Sequence, residues 1–233
     1  MLLAGCFPDL GDLSGGDGGV DAGPDVFDAL VETSAPSGCD ASFCDDFDDG
    51  GLGARWDQVI GDAGWLSLDA PALSPPRSLA AGSDGGVGFQ FLEKFLTPKQ
   101  RLHCTFQLMV DTMPTDYVDI FTIDHPGTTF VSSDAIFYIG PPGAAMREDV
   151  NELDGSCACP FVESTSTPFA TGFWAPVDIL YDFQTVTWSI NGIQQQNVVR
   201  ATTPRTLAIS LGIRVDGAQS VSYHVDDLVC QVE

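Results

Sequence analysis

The 233-residue chain sets 33 acidic side chains against nine basic ones, a formal net charge of −24, yet 44% of its residues are hydrophobic. So large an apolar fraction, with only 18% charged residues, excludes wholesale disorder and predicts a packed core. The charge excludes nucleic acid and direct adsorption to anionic lipid as partners, because both need Lys and Arg to neutralise phosphates.

The chain opens Met1-Leu2-Leu3-Ala4-Gly5-Cys6, with small residues just ahead of a cysteine. Leu3-Ala4-Gly5-Cys6 resembles a bacterial lipobox. That resemblance implies cleavage before Cys6 and acyl chains on its thiol and new amino group, enough to hold a protein stably at a membrane without spanning it. Met1 to Leu3 are shorter than the charged region and apolar stretch of about 7–15 residues in a complete signal peptide. Residues 1–6 are therefore expected to be a truncated lipoprotein signal, with the true start further upstream. No other stretch approaches the roughly 20 apolar residues of a membrane helix. Residues 7–38 hold seven acidic residues, seven glycines and no basic residue, punctuated by Gly23-Pro24 and Ala35-Pro36. They are expected to form a disordered, solvated tether with a root-mean-square reach of about 30 Å. The implied location is the bacterial cell envelope, lipid-anchored at the outer membrane, periplasmic or surface-exposed, with the protein a monomer.

From residue 39 to 233 the apolar residues alternate with polar ones, the period of a half-buried strand. Residues 101–111 are the cleanest case: Leu102, Cys104, Phe106, Leu108 and Val110 share one face, opposite Arg101, His103, Thr105, Gln107 and Asp111. Similar runs follow at 116–124, 129–139, 174–182, 185–190, 193–199, 206–215 and 220–232. Between two of them, Asn191-Gly192 supplies the two positive φ angles of a tight hairpin turn. One short helical candidate, residues 91–96, ends at Pro98. Many short strands and Gly/Pro-rich turns predict an all-β, two-sheet antiparallel β-sandwich.

Three landmarks follow in order: Phe43-Cys44-Asp45-Asp46-Phe47-Asp48-Asp49 with Trp56; Phe173-Trp174-Ala175-Pro176-Val177-Asp178-Ile179 with Tyr181-Asp182 and then Val186 to Gly192; and Leu207 to Gly212 with Val225-Asp226-Asp227-Leu228-Val229. Their order and spacing resemble the laminin-G-like branch of the concanavalin A-like lectin/glucanase jelly rolls. The resemblance covers residues 43–232. It implies two stacked antiparallel sheets, adjacent first and last strands, and a concave face often used to bind glycans.

With Cys6 lipidated, Cys39, Cys44, Cys104, Cys157, Cys159 and Cys230 remain, an even number that reads as disulfides in an exported chain. If the first and last strands are neighbours, as the resemblance implies, Cys44 and Cys230 could face one another, but Cys104 lies on an apolar strand face and needs a partner deep in a sheet; the favoured pairs are Cys104 with Cys230 and Cys39 with Cys44, leaving Cys157 with Cys159. A zinc site using Cys157 and Cys159 is the competing expectation, although the usual two-residue knuckle spacing is absent.

Catalytic motifs are weak. Glu148, Val150, Glu152 and Asp154 place an apolar residue among the carboxylates, unlike the alternating acids that flank a glycosidic bond, so residues 148–154 read as an acidic, solvated loop. His103, His125 and His224 are scattered, with no local relation to a nucleophile. Gly82 to Gly88 lacks the lysine of a phosphate loop and reads as a hairpin tip. Asp46 or Asp48, with Asp226 or Asp227, would approach one another if the terminal strands pair, a structural Ca²⁺ site in expectation; hydrogen bonding to turn amides is the alternative. Trp174, Tyr181 and Trp188, with Tyr117 and Tyr138 as further candidates, offer flat faces for a sugar ring. The expected function is a non-catalytic envelope lipoprotein that binds a glycan or another extracellular ligand. The alternatives are a divergent glycoside hydrolase or polysaccharide lyase, and a structural or adhesive protein without a small ligand.

Overall fold

A computed structural model of the chain describes residues 39–125, 130–152, 166–199 and 205–233. The lipobox with Cys6, the tether, Asp154, Cys157 and Cys159 lie outside the described residues. Among the described residues there are fourteen strands and no helix. One sheet holds, in spatial order, β12 (Ile193–Val198), β11 (Thr185–Ile190), β10 (Ala175–Tyr181), β6 (Leu102–Thr112), β14 (Ser220–Val232), β4 (Ser78–Asp84) and β3 (Trp65–Asp69), with β1 (Phe43–Asp45) also paired to β14. The other runs β2 (Gln58–Gly61), β5 (Gly88–Leu96), β13 (Leu207–Val215), β7 (Val118–Asp124), β8 (Phe130–Gly140) and β9 (Gly143–Glu152). All pairings are antiparallel, and the sandwich architecture follows the alternation in the sequence.

The core lies between the sheets. Leu102, Cys104, Phe106 and Leu108 of β6 are fully buried, and so are Phe121 of β7, Phe137 of β8 and Leu211 of β13. The Phe106 ring meets Phe121 at 5.5 Å and Phe137 at 6.0 Å, and Phe137 meets Trp188 at 5.6 Å. Each such aromatic pair adds about 0.5–1.5 kcal/mol beyond its buried area.

The first and last strands pair as expected, with Phe43 opposite Cys230. Both favoured disulfides form: Cys104–Cys230 joins register partners on β6 and β14, and Cys39–Cys44 closes a five-residue separation. The β11–β12 hairpin turns at Asn191 (φ 51°) and Gly192 (φ 74°), and Ile190 faces Ile193 across it.

Three expectations are corrected. Residues 91–96 are not a helix but the second half of β5, because Leu92 enters the core while Phe91 is buried on the opposite face. Residues 148–152 are not loop but the end of β9, with Glu148 buried beside Ala135 and Asp149 on the other face. Gly85 to Val87 join two different sheets, since β4 and β5 do not pair.

Candidate functional site

The face of the six-stranded sheet turned away from the core carries a run of charged and aromatic side chains. Strand register builds it row by row. Arg214 of β13, Asp119 of β7, Tyr138 of β8 and Ala145 of β9 lie in one row; Ser210, Thr122, Ile136 and Arg147 form the next; Ala208, Asp124, Asp134 and Asp149 form the third.

Arg147 ties the rows together. Its Nη2 donates to Asp119 Oδ2 at 2.8 Å, its Nε faces Asp149 Oδ1 at 3.4 Å, and its guanidinium lies 5.2 Å over the Tyr138 ring. Tyr138 in turn meets Tyr117 edge to face at 5.1 Å. Tyr138 is buried whereas Tyr117 is 48% exposed, so the outer ring stands on the inner one. Gly140 permits this arrangement, because a Cβ there would come within 2.8 Å of the Tyr117 ring. Burial raises the Asp119 carboxyl above its ordinary value despite the attraction of Arg147 and Arg214.

In the third row Asp124 and Asp134 are hydrogen-bonded to each other. Burial pushes Asp124 up to about 6, the bond from Asp134 pulling down and the Glu93 charge adding to the rise. Asp134 rises well above the ordinary range, through burial and then the charges of Asp124 and Asp149. A carboxyl whose folded-state value exceeds its unfolded 3.8 binds more protons when folded, so stability falls as pH rises through that window. His125 works the other way: burial lowers it to about 4, and its contribution is lost as pH falls from 6.5 towards 4. Comparing variants isolates the pair. Asp134→Asn, which mimics the protonated acid, will raise Tm at pH 7.5 by about 3–6 °C. Thermal melts between pH 4.5 and 7.5 will also show a flatter pH dependence than wild type; an unchanged slope contradicts the shared proton.

The aromatic expectations divide. Tyr181 and Trp188 are fully buried between the sheets and cannot stack on a surface sugar. The reason is period two: Tyr181 alternates with Ile179 and Val177, and Trp188 with Val186 and Ile190, all inward. Tyr181 packs on His125 at 4.7 Å and Phe183 at 4.9 Å, and among the described residues neither Tyr181 Oη nor Trp188 Nε1 has a hydrogen-bond partner. Trp174 is half-buried just before β10, next to Phe173, which is 70% exposed. Tyr117 and Tyr138 are brought together.

The aspartates named for calcium hold a loop. Asp226 Oδ2 accepts from the amides of Leu73 and Ser74 at 2.8 and 2.9 Å, and Asp227 Oδ1 accepts from Ser74 Oγ at 2.7 Å. Asp48 Oδ1 accepts from the Arg77 amide at 2.9 Å, and Asp46 Oδ1 accepts the Asp48 amide at 3.4 Å. Residues 73–77 are thus gripped from both ends by carboxylates at turn amides. Among the described residues no three His, Cys, Asp or Glu side chains gather as a metal-binding group.

The fold also assembles a constellation that local spacing hides. Ser78 Oγ lies 3.2 Å from His224 Nδ1, and His224 Nε2 lies 3.5 Å from Asp111 Oδ2. It is not a nucleophile poised for substrate: Ser78 is fully buried and donates its proton to Pro71 O at 2.7 Å. His125 is enclosed by Ile123 O and Ser133 Oγ, while His103 pairs with Asp178 at 3.1 Å on the outside of the other sheet.

No protein-family model and no curated protein sequence matches the chain. Solved structures do match its backbone. It is similar to a cellulose-induced protein, Cip1, at TM-score 0.60 and 15% identity over 82% of this chain and 97% of that one. A carbohydrate esterase from the Shiga toxin-encoding bacteriophage phi24B follows at 0.54 and 11%, over 79% and 93%. A family 7 alginate lyase, A1-II′, in complex with substrate, matches at 0.51 and 10%, over 72% and 81%. Identities this low speak to architecture alone, and the architecture is a two-sheet, jelly-roll β-sandwich.

Proposed function

We propose that the chain is a non-catalytic, monomeric lipoprotein of the bacterial cell envelope, anchored through Cys6, whose β-sandwich binds a glycan on the outer face of the six-stranded sheet. The observation that carries the binding site is the half-exposed Tyr117 ring, braced edge to face by Tyr138, over which the Arg147 guanidinium lies. A flat apolar ring next to fixed hydrogen-bonding groups suits a pyranose, which offers a C–H face and a rim of hydroxyls. The solved neighbours include a carbohydrate esterase and an alginate lyase, which supports a saccharide ligand.

The carboxylates support binding without cleavage. Paired acids that hydrolyse a glycosidic bond stand about 5–9.5 Å apart so that the sugar, or the sugar and a water, fits between them. Asp124 and Asp134 are in hydrogen-bond contact with each other instead, and Glu148 and Asp149 point to opposite faces of β9.

A glycan array followed by calorimetry tests this function. Wild type will bind a defined set of saccharides, and Tyr117→Ala will weaken the best of them about tenfold with an unchanged circular dichroism spectrum. Failure to bind any glycan, or an indifferent Tyr117→Ala, contradicts it.

A further inference from the structure

We propose that Gln219 is the positioning residue of the Tyr117 site: from inside the fold it fixes the segment that carries Tyr117, and so holds the ring in the attitude in which a sugar meets it. The proposal rests on the glycan reading above and deepens it, by adding a residue that acts on the ligand only through Tyr117.

Thr115, Asp116 and Tyr117 precede β7 and are all exposed. A short exposed segment has little apolar packing to hold it, so its order depends on where its backbone hydrogen bonds go. Here they converge on one side chain. Gln219 lies between β13 and β14 and is only 7% exposed. Its Oε1 accepts from the amides of Thr115 and Asp116, both at 2.9 Å, and from Thr115 Oγ1 at 3.4 Å. Its Nε2 donates to Tyr117 O at 3.4 Å. One buried amide therefore engages three consecutive residues and ends on Tyr117 itself. Donor chemistry fixes its orientation, because the reversed amide would turn its own N–H groups against two N–H donors.

The Tyr117 ring is held from its other side by the edge-to-face contact with Tyr138 at 5.1 Å. That contact needs the Tyr117 backbone at one height above the sheet, and the grip of Gln219 supplies it. A half-exposed ring is thus ordered before any ligand arrives. Ordering a free side chain on binding costs about three- to tenfold in affinity, and Gln219 removes that cost in advance. The link is invisible to local sequence, since 102 positions separate Gln219 from Tyr117.

Two variants of the full chain test this. Gln219→Met keeps the length and removes the acceptor, while Gln219→Glu keeps an oxygen for both amides. Because Thr115 and Asp116 are exposed, water takes over their amides in Gln219→Met, and its circular dichroism spectrum is expected to match wild type. Calorimetry with the best binder from the glycan array is expected to show Gln219→Met weakened about three- to tenfold and Gln219→Glu within about twofold of wild type. Added to Tyr117→Ala, Gln219→Met is expected to change nothing further, because the ring it positions is gone. In the ligand-free protein, NOE cross-peaks between the Tyr117 and Tyr138 rings are expected to persist in Gln219→Glu and to weaken in Gln219→Met. Wild-type affinity in Gln219→Met, losses that multiply in the double variant, or a tenfold weaker Gln219→Glu overturns the positioning role while leaving glycan binding intact. A Gln219→Met chain that does not fold overturns it too, since the fold rather than the ring then depends on Gln219. An array on which no glycan binds overturns the glycan reading and this role in binding with it, whatever the ring cross-peaks show.

Discussion

Replacing Cys104 and Cys230 together by alanine will destabilise the sandwich by about 5 kcal/mol, the loop-closure entropy returned to the unfolded chain for a separation of 126 residues. The bond links two central strands that hydrogen-bond to each other, so it ties residues near the middle of the chain to its end. Without it, the first β6–β14 contact must form across the whole intervening chain. The other described disulfide gives an internal control: Cys39–Cys44 closes only five residues, and its loss will cost about 2 kcal/mol. Urea denaturation of the two double-alanine variants measures both. Equal losses would contradict the loop-closure account.

The second large effect centres on Arg147. Arg147→Met keeps the aliphatic length but leaves Asp119 buried without its cation, a change that costs about 3–5 kcal/mol. Burial already raises the Asp119 carboxyl with Arg147 in place, so removing the guanidinium drives it further towards the neutral acid. The deficit will consequently be larger at pH 8 than at pH 5. Adding Asp119→Asn to the Arg147→Met background will recover part of the loss at pH 8, because an amide needs no counter-charge. Urea midpoints of the single and double variants at both pH values check this; a pH-independent deficit would place the loss in packing rather than charge.

The architecture was legible in the sequence because it is carried by local alternation. The β6 run from Leu102 to Val110 reads directly as an inward face, and Asn191-Gly192 as its own turn. Where both faces of a strand are buried, the alternation blurs. Phe91, Leu92, Phe95 and Leu96 mimic helical spacing because β5 buries Leu92 inward and Phe91 outward. β9 read as loop because charged residues fall on both its faces, Glu148 inward and Asp149 outward. Tyr181 and Trp188 looked available to a ligand because each offers a flat face to a sugar ring, but strand period places both inside.

The site itself was only half legible. Tyr117 and Tyr138 stood out as aromatic residues, while nothing in the local sequence singled out Arg147. Its partner Asp119 lies 28 positions earlier and two strands away, so the pair exists only once β7, β8 and β9 are in register. The Ser78–His224 contact, across 146 positions, is hidden for the same reason. No spacing rule connects residues that meet through a sheet row. The opposite holds for Cys104–Cys230, where the apolar strand face that carries Cys104 was enough to favour a partner deep in a sheet.

The central claim is that a glycan rests on the outer face of the six-stranded sheet against Tyr117. An NMR titration of the ¹⁵N-labelled protein with the best array binder tests it most directly. The account predicts saturable shifts of the Tyr117, Asp119 and Tyr138 amides, with the outer face of the eight-stranded sheet, including Asp178, Ser189 and Gln196, unmoved. Shifts confined to that second face, with the Tyr117 and Tyr138 resonances silent, would contradict it.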